Sequence, residues 1–410
     1  MNPLPSLRLL STFCLLMFGS QFFLAQETSS SSQFAIASDD FVATDGQESK
    51  PVQTQVSGGL ATAGQIDKKK EEKKKREKRG SFVIAPIPIS NPALGSGLVP
   101  VIGFIFPISK NDKVSPPSVI GTGGLITDNG SRAFALGAQL YFKQNTYKST
   151  AIYARGNLNY DLYGTGVDEG LKLPLIQTGS LFHAEFLRRI AWQFFLGPRF
   201  SIGSSRITVA ENATQFSEPP PEIGLNIQLT ALGLRLTRDT SPNRFYPTSG
   251  TYFTVTSDFY SPALGSKYTL QSYTGSFNKY WSIGKRQVLA YDAYGCATGG
   301  KPPFYMNCIY GSGNELRGYV AGKYFDRYMA TTQIEERIAL PYRLGVVGFG
   351  GIGEAIPGGD EFLFRHNEFL PAGGVGLRLL LSKAYHVNLR SDFAWGKDGH
   401  TFILGIGEAF

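Results

Sequence analysis

The 410-residue chain contains 48 glycines, 13% aromatic residues and only three cysteines, a composition typical of a β-rich chain with many turns. Beyond the N-terminus, no apolar run reaches the roughly 18 residues that a membrane-spanning helix needs, so a bundle of apolar helices is excluded. The net charge is +8, and residues 67–79 alone carry more than half of it. An excess of basic over acidic residues that is concentrated in one short run does not predict a nucleic-acid interface.

The first 80 residues predict export followed by a polar linker. Residues 1–25 have the pattern of a signal peptide, because Arg8 precedes a broken apolar stretch. Residues 26–80 are mostly Ser, Gln, Thr, Lys and Glu, and they cannot bury enough apolar surface to offset chain entropy. We therefore expect a disordered basic linker, in which 68–79 either stays solvated or forms a charged helix that touches anionic lipid or cell wall.

From residue 81 onward, short alternating segments are separated by Gly, Pro, Asn and Ser. An even number of strands places both barrel ends on the periplasmic side, and the long connections 204–222, 295–326 and 355–371 then lie on the outer side. The fold class predicted for 81–410 is all-β, a 16-stranded antiparallel transmembrane β-barrel behind a disordered N-terminal tail. The sixteen predicted strands are 82–89, 97–108, 117–127, 132–143, 147–159, 173–187, 191–203, 223–237, 250–260, 267–281, 286–294, 327–340, 343–354, 372–382, 385–395 and 400–409.

The alternation in these segments indicates which face meets lipid. Val375, Leu377 and Leu379 point one way, while Arg378 points the other. In the next segment, Arg390 and Asp392 point opposite to Leu389. Apolar side chains outside and polar side chains inside are the pattern of a membrane barrel rather than a soluble one. In 223–237 the apolar phase changes, which predicts a β-bulge near Thr230 and Ala231.

The longest predicted connection, 295–326, contains the nonapeptide 311–319. Arg317 is the only charge that could project from its tip, which consists of Leu316, Arg317, Gly318 and Tyr319. Gly318 allows a tight turn with positive φ. A loop of this length is typically functional or disordered. The alternative interpretation is a surface turn with a solvated arginine.

The nonapeptide resembles the loop motif of the BamA/TamA superfamily of outer-membrane assembly barrels, also called the bacterial surface antigen family. Residues 238–250 resemble the family's periplasmic turn, 374–393 its penultimate hairpin and 405–410 its terminus, so the resemblance covers 81–410. It implies that the loop folds into the barrel lumen, where Arg317 meets an acidic residue of the wall. It also implies that Phe410 belongs to the signal read by the barrel-insertion machinery. The family's POTRA domains normally precede the barrel, but 26–80 is too short and polar for one, which predicts a POTRA-less member.

Glu335 is the predicted lumen partner of Arg317. The family usually has an aspartate where this chain has Gly351, so a replacement is needed. Glu335 shares an inward face with Gln333 and Arg337, and it matches the family's Glu-x-Arg. The glycines of 348–353 match a dinucleotide-binding pattern, but the residues that follow stop a helix, so we interpret them as a thin strand wall.

Cys296 and Cys308 are both predicted to lie in the long outer loop. An oxidising compartment favours a disulfide between them, and free thiols are the alternative.

The first strand predicts weak pairing at the seam, the place where the first strand, 82–89, meets the last strand, 400–409, to close the barrel. Pro86 and Pro88 are two residues apart, so their nitrogens point to the same neighbouring strand, and neither donates a hydrogen bond. We expect them to face 400–409 rather than 97–108. The alternative is that 82–89 is a tether rather than a strand.

The functional hypothesis from this pattern is a bacterial outer-membrane barrel that assists protein or lipid insertion or translocation. The alternative is a passive channel or a structural surface-antigen barrel. No G-x-S-x-G motif is present, and the four histidines lack metal spacing, so no enzyme activity, cofactor or metal is expected. A further alternative is a protease or phospholipase barrel, which needs a histidine clustered with Asp or Ser near one rim. The expected partners are outer-membrane lipid, the barrel-insertion machinery during biogenesis and an unknown client, without nucleic acid.

Overall fold

A computed structural model describes residues 80–410 except 92–93, 110, 113, 164–171, 211–222, 244, 312–314, 357–368 and 384–385. The predicted signal peptide and nearly all of the predicted linker lie outside the described residues. In the described part of the chain, no helix has the length and apolar character needed to cross a membrane.

Sixteen antiparallel strands close into one barrel, which confirms the predicted fold class and strand number. A separate two-stranded sheet, β12–β13, lies within the connection between β11 and β14. The strands are β1 Ser81–Asn91, β2 Gly95–Phe106, β3 Ser118–Thr127, β4 Arg132–Phe142, β5 Tyr147–Tyr163, β6 Lys172–Arg189, β7 Phe195–Val209, β8 Asn226–Asp239, β9 Gly250–Tyr260, β10 Leu270–Ile283, β11 Gln287–Gly300, β12 Cys308–Ile309, β13 Phe325–Asp326, β14 Tyr328–Ala339, β15 Leu344–Ile356, β16 Leu370–Ser382, β17 Val387–Gly396 and β18 Gly399–Ile406.

Side-chain alternation sets the two faces of the wall. In β16, Val375 and Leu377 are 57% and 65% exposed, whereas Arg378 is buried. In β14, Glu335 is buried inside and its neighbour Glu336 is exposed outside. In such a wall the backbone N–H and C=O groups form hydrogen bonds between neighbouring strands, and apolar side chains face the lipid.

The inner face is not polar all the way round. The inward side chains of β1 to β5 are mostly aliphatic, and they form one buried cluster with Phe245, Val387 and Ile406. The buried charges of the described part come from β5 onward. The lumen therefore has an apolar wall and an ionic wall, which adjoin where β1 meets β18. The aliphatic members from β1 to β5 are Val83, Ala85, Ile87, Val99, Val101, Ile105, Val119, Leu125, Ala135, Ile152, Ala154 and Leu158.

The predicted β-bulge near Thr230 and Ala231 is wrong. β8 keeps one continuous register with β7 from Asn226 to Thr237. The apolar phase changes because Ile227, Leu229 and Ala231 face inward into a buried cluster, while the later leucines face outward. A register shift does occur elsewhere, between Leu380 and Ser382 in the β16–β17 ladder.

Candidate functional site

The long connection between β11 and β14 begins later than predicted. β11 continues through Gly300, because Tyr294, Cys296 and Thr298 keep the inward phase of the strand despite the glycines between them. Cys296 therefore lies on the barrel wall and not in the loop, which corrects the prediction. Cys308 lies in β12, and a disulfide joins it to Cys296 with the two Cα atoms 5.8 Å apart. The disulfide thus ties the loop to the wall.

Arg317 lies inside the lumen with no exposed side-chain surface. Its Nη2 is 2.6 Å from Glu335 Oε2 on β14, and its Nη1 is 2.9 Å from Asp392 Oδ2 on β17. Its guanidinium carbon is 3.5 Å from the centre of the Phe349 ring on β15. A loop arginine is thus held by two carboxylates and one aromatic ring from three strands. The interpretation as a solvated surface turn does not fit this position.

The ionic network continues from Arg317 toward the periplasmic end of β16 and β17. Glu335 Oε1 accepts a hydrogen bond from Arg337 Nε at 2.7 Å. Arg378 donates through Nη1 to Asp392 Oδ1 at 2.5 Å and through Nε to Glu408 Oε2 at 2.7 Å. Because every member has an opposite charge beside it, the burial cost of each charge is offset within the network.

Small residues on the wall make room for the loop. A Cβ at Gly351 would lie 2.9 Å from Leu316 Cδ1, and a Cβ at Gly353 would meet Tyr310 Oη. These two glycines face inward on β15, beneath the loop. The interpretation of 348–353 as a thin wall therefore has a steric reason.

Gly318 and Tyr319 fix the tip of the loop. Gly318 has a φ of +111°, and its position against the carbonyl of Trp395 leaves no room for a side chain. Tyr319 donates its hydroxyl to the Pro371 carbonyl at 2.6 Å. The tip Leu316–Tyr319 is thereby packed against β15, β16 and β17, while 312–314 lie outside the described residues.

Sequence reasoning placed Arg378, Arg390 and Asp392 on the inner face but did not identify Asp392 as a partner of Arg317. It also missed Glu408 and the ring of Phe349. The signal available for Asp392 was the alternation of β17, which points its side chain into the lumen. Sequence alternation gives the face of a side chain, but not which other inward side chain lies opposite it across the lumen.

The end of the described chain turns inward instead of continuing the wall. Gly407 has a φ of +88°, and β18 ends at Ile406 rather than at the predicted 409. Glu408 then meets Arg378 in the lumen, which accounts for the turn. Phe410 is 6% exposed, and its carbonyl oxygen accepts from Arg337 Nη2 at 2.6 Å. The proposed role of Phe410 as an insertion signal stays a prediction, and in this folded state its ring lies inside the barrel.

The barrel closes between β1 and β18 through one residue pair, Ser90 with Leu404. By contrast, β1 pairs with β2 over eleven residues, and β17 pairs with β18 over eight. Continuing the seam register would place Pro88 opposite Ile406, where β18 ends. Most of β1 therefore has no strand partner on the seam side within the described residues.

The prolines explain why this side of β1 is poor in donors. In the uninterrupted β1–β2 ladder, Pro86 faces Pro100. Since neither has an N–H, this pair cannot be a hydrogen-bonded one, and both nitrogens point away from each other. The nitrogen of Pro86, and that of Pro88 two residues on, then point toward β18. Residues 82–89 form a strand, so the tether alternative does not describe this structure.

The histidines occupy separate parts of the barrel. His183 Nδ1 is 2.8 Å from Ser201 Oγ, His386 stacks on Tyr246, and His400 stacks on Phe393. His366 lies outside the described residues. Among the residues that the structure describes, no three His, Cys, Asp or Glu side chains are grouped so that they could hold a metal ion.

A family model described as the Omp85 superfamily domain matches residues 203–410. No curated protein sequence matches the chain. Among solved structures, BamA from Haemophilus ducreyi lacking POTRA domains 1–3 is similar, with 14% identity, a TM-score of 0.51, and coverage of 80% of this chain and 70% of that one.

Two further structures share the fold. CdiB from Acinetobacter baumannii has 11% identity and a TM-score of 0.51, with coverage of 80% of this chain and 60% of that one. CdiB from Escherichia coli has 12% identity and a TM-score of 0.50, with coverage of 82% and 68%. At these identities the structures show the fold, while the family match extends over half of the chain. Together with the closed sixteen-stranded wall, this match shows that the chain belongs to the Omp85 superfamily and is a barrel of the bacterial outer membrane.

Proposed function

We propose that this barrel assists the insertion or translocation of protein or lipid at the outer membrane by opening between β1 and β18. The observation that carries the proposal is the single residue pair at this seam. The role is non-enzymatic. Outer-membrane lipid contacts the outward apolar side chains, and the barrel-insertion machinery acts on the chain during biogenesis.

The energetic difference between the seam and the other ladders supports an opening at this place. A backbone hydrogen bond contributes about 0.5–1.5 kcal/mol net. Separating β1 from β18 breaks one residue pair, whereas separating β1 from β2 breaks eleven. Pro86 and Pro88 lack N–H donors, and the chain turns inward at Gly407. The ladder of paired residues between β1 and β18 therefore cannot become longer.

The loop and the seam are connected through β17. Asp392 lies on β17, the strand next to β18, and it holds Arg317 of the loop. On β16, Arg378 holds both Asp392 and Glu408, and Glu408 is the second residue after the end of β18. A loop seated in the lumen in this way supports a gated barrel over a permanently open channel.

The proposal can be tested with two crosslinks that share Ser90. The double variant Ser90→Cys/Leu404→Cys spans the seam, and Ser90→Cys/Ser96→Cys spans the ordinary β1–β2 hairpin, where the two serine hydroxyls are 3.0 Å apart. A bis-maleimide crosslinker would lock either pair and leave the native disulfide intact. The readout is the rate at which an unfolded outer-membrane β-barrel inserts into vesicles containing the crosslinked protein, with lipid transfer between leaflets as a second readout.

We expect the uncrosslinked protein to accelerate at least one of these processes, the seam crosslink to abolish that acceleration, and the hairpin crosslink to leave it unchanged. The proposal is wrong if the protein accelerates neither process and instead gives a steady open conductance in planar bilayers. It is also wrong if the seam crosslink has no effect.

A further inference from the structure

A basic patch lies on the outer surface of β4 to β7, away from the lumen and the seam. Cross-strand pairing aligns the outward side chains of these strands in rows. One row contains Arg132, Asn157, Thr178 and Arg206, and the next row toward the periplasm contains Phe134, Arg155, Ser180 and Ser204. We refer to Arg132, Arg155 and Arg206, with the polar side chains between them, as the basic patch.

The basic patch borders an apolar surface. The third row consists of Leu136, Tyr153, Phe182 and Ile202. The rings of Phe134 and Tyr153 are 6.0 Å apart, and those of Phe182 and Phe200 are 6.5 Å apart. The outward face therefore changes from apolar to cationic within one row.

This boundary lies in the outer half of the wall. Both barrel ends lie on the periplasmic side, so β5 runs outward from Tyr147 to Tyr163, and Arg155 and Asn157 come after its apolar half. An outward arginine is strongly unfavourable at the middle of a bilayer but is tolerated near the interface. The three arginines thus place the patch at the head groups of the outer leaflet.

The arginines of the patch are exposed and have no ion pair or hydrogen bond with another side chain in the described part of the chain. The nearby carboxylates are already engaged, since Asp161 pairs with Lys172 at 2.9 Å and Asp128 accepts from the Ser96 amide. Strand spacing puts the Cα atoms of Arg132 and Arg206 about 14 Å apart, with Arg155 between them and one row lower. Guanidinium groups bind phosphate through two parallel donors.

We propose that the basic patch binds the phosphate groups of an outer-leaflet lipid, whose acyl chains lie against the row of Leu136, Tyr153, Phe182 and Ile202. The hydroxyls of Ser180 and Ser204, 3.0 Å apart between Arg155 and Arg206, supply further donors to the same head group. This site is independent of the seam, so it does not rest on the proposed function.

The test uses the full-length protein in detergent, with lipid binding measured by native mass spectrometry. The probe is lipid A carrying two phosphates, compared with the same lipid after enzymatic removal of its phosphates and with inorganic phosphate. The test variant is Arg132→Gln/Arg155→Gln/Arg206→Gln. The matched control, Arg188→Gln/Arg189→Gln/Arg286→Gln, removes three exposed arginines at the periplasmic end.

We expect the patch variant to bind the bisphosphorylated lipid at least about tenfold more weakly, because it loses the charged donors to the phosphate groups. The control variant and the dephosphorylated lipid separate the phosphate contact from general charge and from acyl contact. Equal losses in both variants, or equal binding of the dephosphorylated lipid, would overturn the proposal. If inorganic phosphate competes for the patch as well as the lipid does, the ligand is free phosphate and not a lipid head group, and the proposal is wrong.

Folding of the patch variant is checked by gel electrophoresis in SDS, in which a folded barrel that resists heating migrates differently from the unfolded chain; we call this heat-resistant migration. If it does not fold, Arg155→Gln alone and Arg132→Lys/Arg155→Lys/Arg206→Lys decide the question. The single variant is expected to weaken binding by about threefold to tenfold. The lysine variant is expected to bind more weakly than the unchanged protein but to retain some binding, because it keeps the positive charge and loses the paired donors. No loss in the single variant together with full loss in the lysine variant would contradict the proposal.

Discussion

Arg317 in the lumen loop and Asp392 on β17 are 75 residues apart in the sequence, and their side chains meet at 2.9 Å with no exposure to solvent. Arg317 also contacts Glu335 on β14, which is not adjacent to β17 in the barrel. One guanidinium therefore contacts carboxylates from two non-adjacent strands, β14 and β17, on the inner face of the barrel.

The pair of Arg317 and Glu335 should behave as a coupled unit. We expect Arg317→Ala and Glu335→Ala each to lower the free energy of unfolding by about 3 kcal/mol, the lower end for a broken buried pair, because each residue keeps a second partner. The double variant should be little worse than either single variant. Heat-resistant migration and urea unfolding in vesicles measure this. Glu336→Ala is the control, since the neighbouring carboxylate is exposed, and fully additive losses would contradict the coupling.

Gly351 should be intolerant of a methyl group. Its Cβ would lie 2.5 Å from the carbonyl oxygen of Thr332 and 2.9 Å from Leu316, the residue before Arg317. We expect Gly351→Ala to cost about 1–3 kcal/mol through overpacking and to increase protease cleavage in 301–327. Gly348→Ala is the matched control on the same strand, because a Cβ there meets no atom within 4 Å. Equal behaviour of the two variants would show that the loop does not depend on this space.

The disulfide should hold the loop against β11. We expect Cys296→Ser/Cys308→Ser to lower stability by about 3 kcal/mol, the entropy of closing a short loop in the unfolded chain. Limited proteolysis of 301–327 should become faster in this variant. Cys14→Ser removes the remaining thiol and should change nothing, as its position lies in the predicted signal peptide. Unchanged proteolysis of the double variant would mean that the ionic contacts of Arg317 hold the loop without the disulfide.

The periplasmic rim should respond to acid through His386. Its ring is 3.9 Å from the ring of Tyr246, and burial lowers the pKa of His386, with a smaller opposing effect from Glu408. Because the folded pKa lies below the unfolded value of about 6.5, the neutral ring favours folding above that pH, and this contribution is lost as pH falls below it. The protection factors of amides in 240–250, which correct the exchange rates for base catalysis, should therefore be lower at about pH 5 than at about pH 8.

Direct titration of His386 by NMR provides the check on this assignment. Tyr246→Ala should expose the ring and raise the pKa of His386 toward its ordinary value. Tyr342→Ala removes an aromatic residue that is 93% exposed at the same rim and should leave the pKa of His386 unchanged. A pKa of His386 that is insensitive to Tyr246→Ala would refute the role of the stacked ring.

The barrel and most of its strands are predictable from local patterns in the sequence. Two-residue alternation, as in Val375, Leu377 and Arg378, reports directly which face of the wall meets lipid, because neighbouring side chains in a strand point to opposite sides. The same rule placed Glu335, Arg337, Arg378 and Asp392 inside. The number of strands followed from turn residues, which act locally. Family resemblance added the expectation that the loop enters the lumen.

Local patterns do not show which inward groups meet or where the wall stops, because both depend on contacts between residues that are far apart in the sequence. Arg317 reaches Asp392 because barrel closure brings β14 and β17 around one loop, a distance that no local pattern encodes. Cys296 belongs to β11 because its ladder with β10 extends through the glycines to Gly300. β18 ends at Ile406, the chain turns inward at Gly407, and Glu408 meets Arg378, a residue 30 positions away in the sequence. The apolar inner face of β1 to β5 likewise depends on the surfaces folded against it, since the sequence of a strand does not say whether its inner side meets water or other side chains.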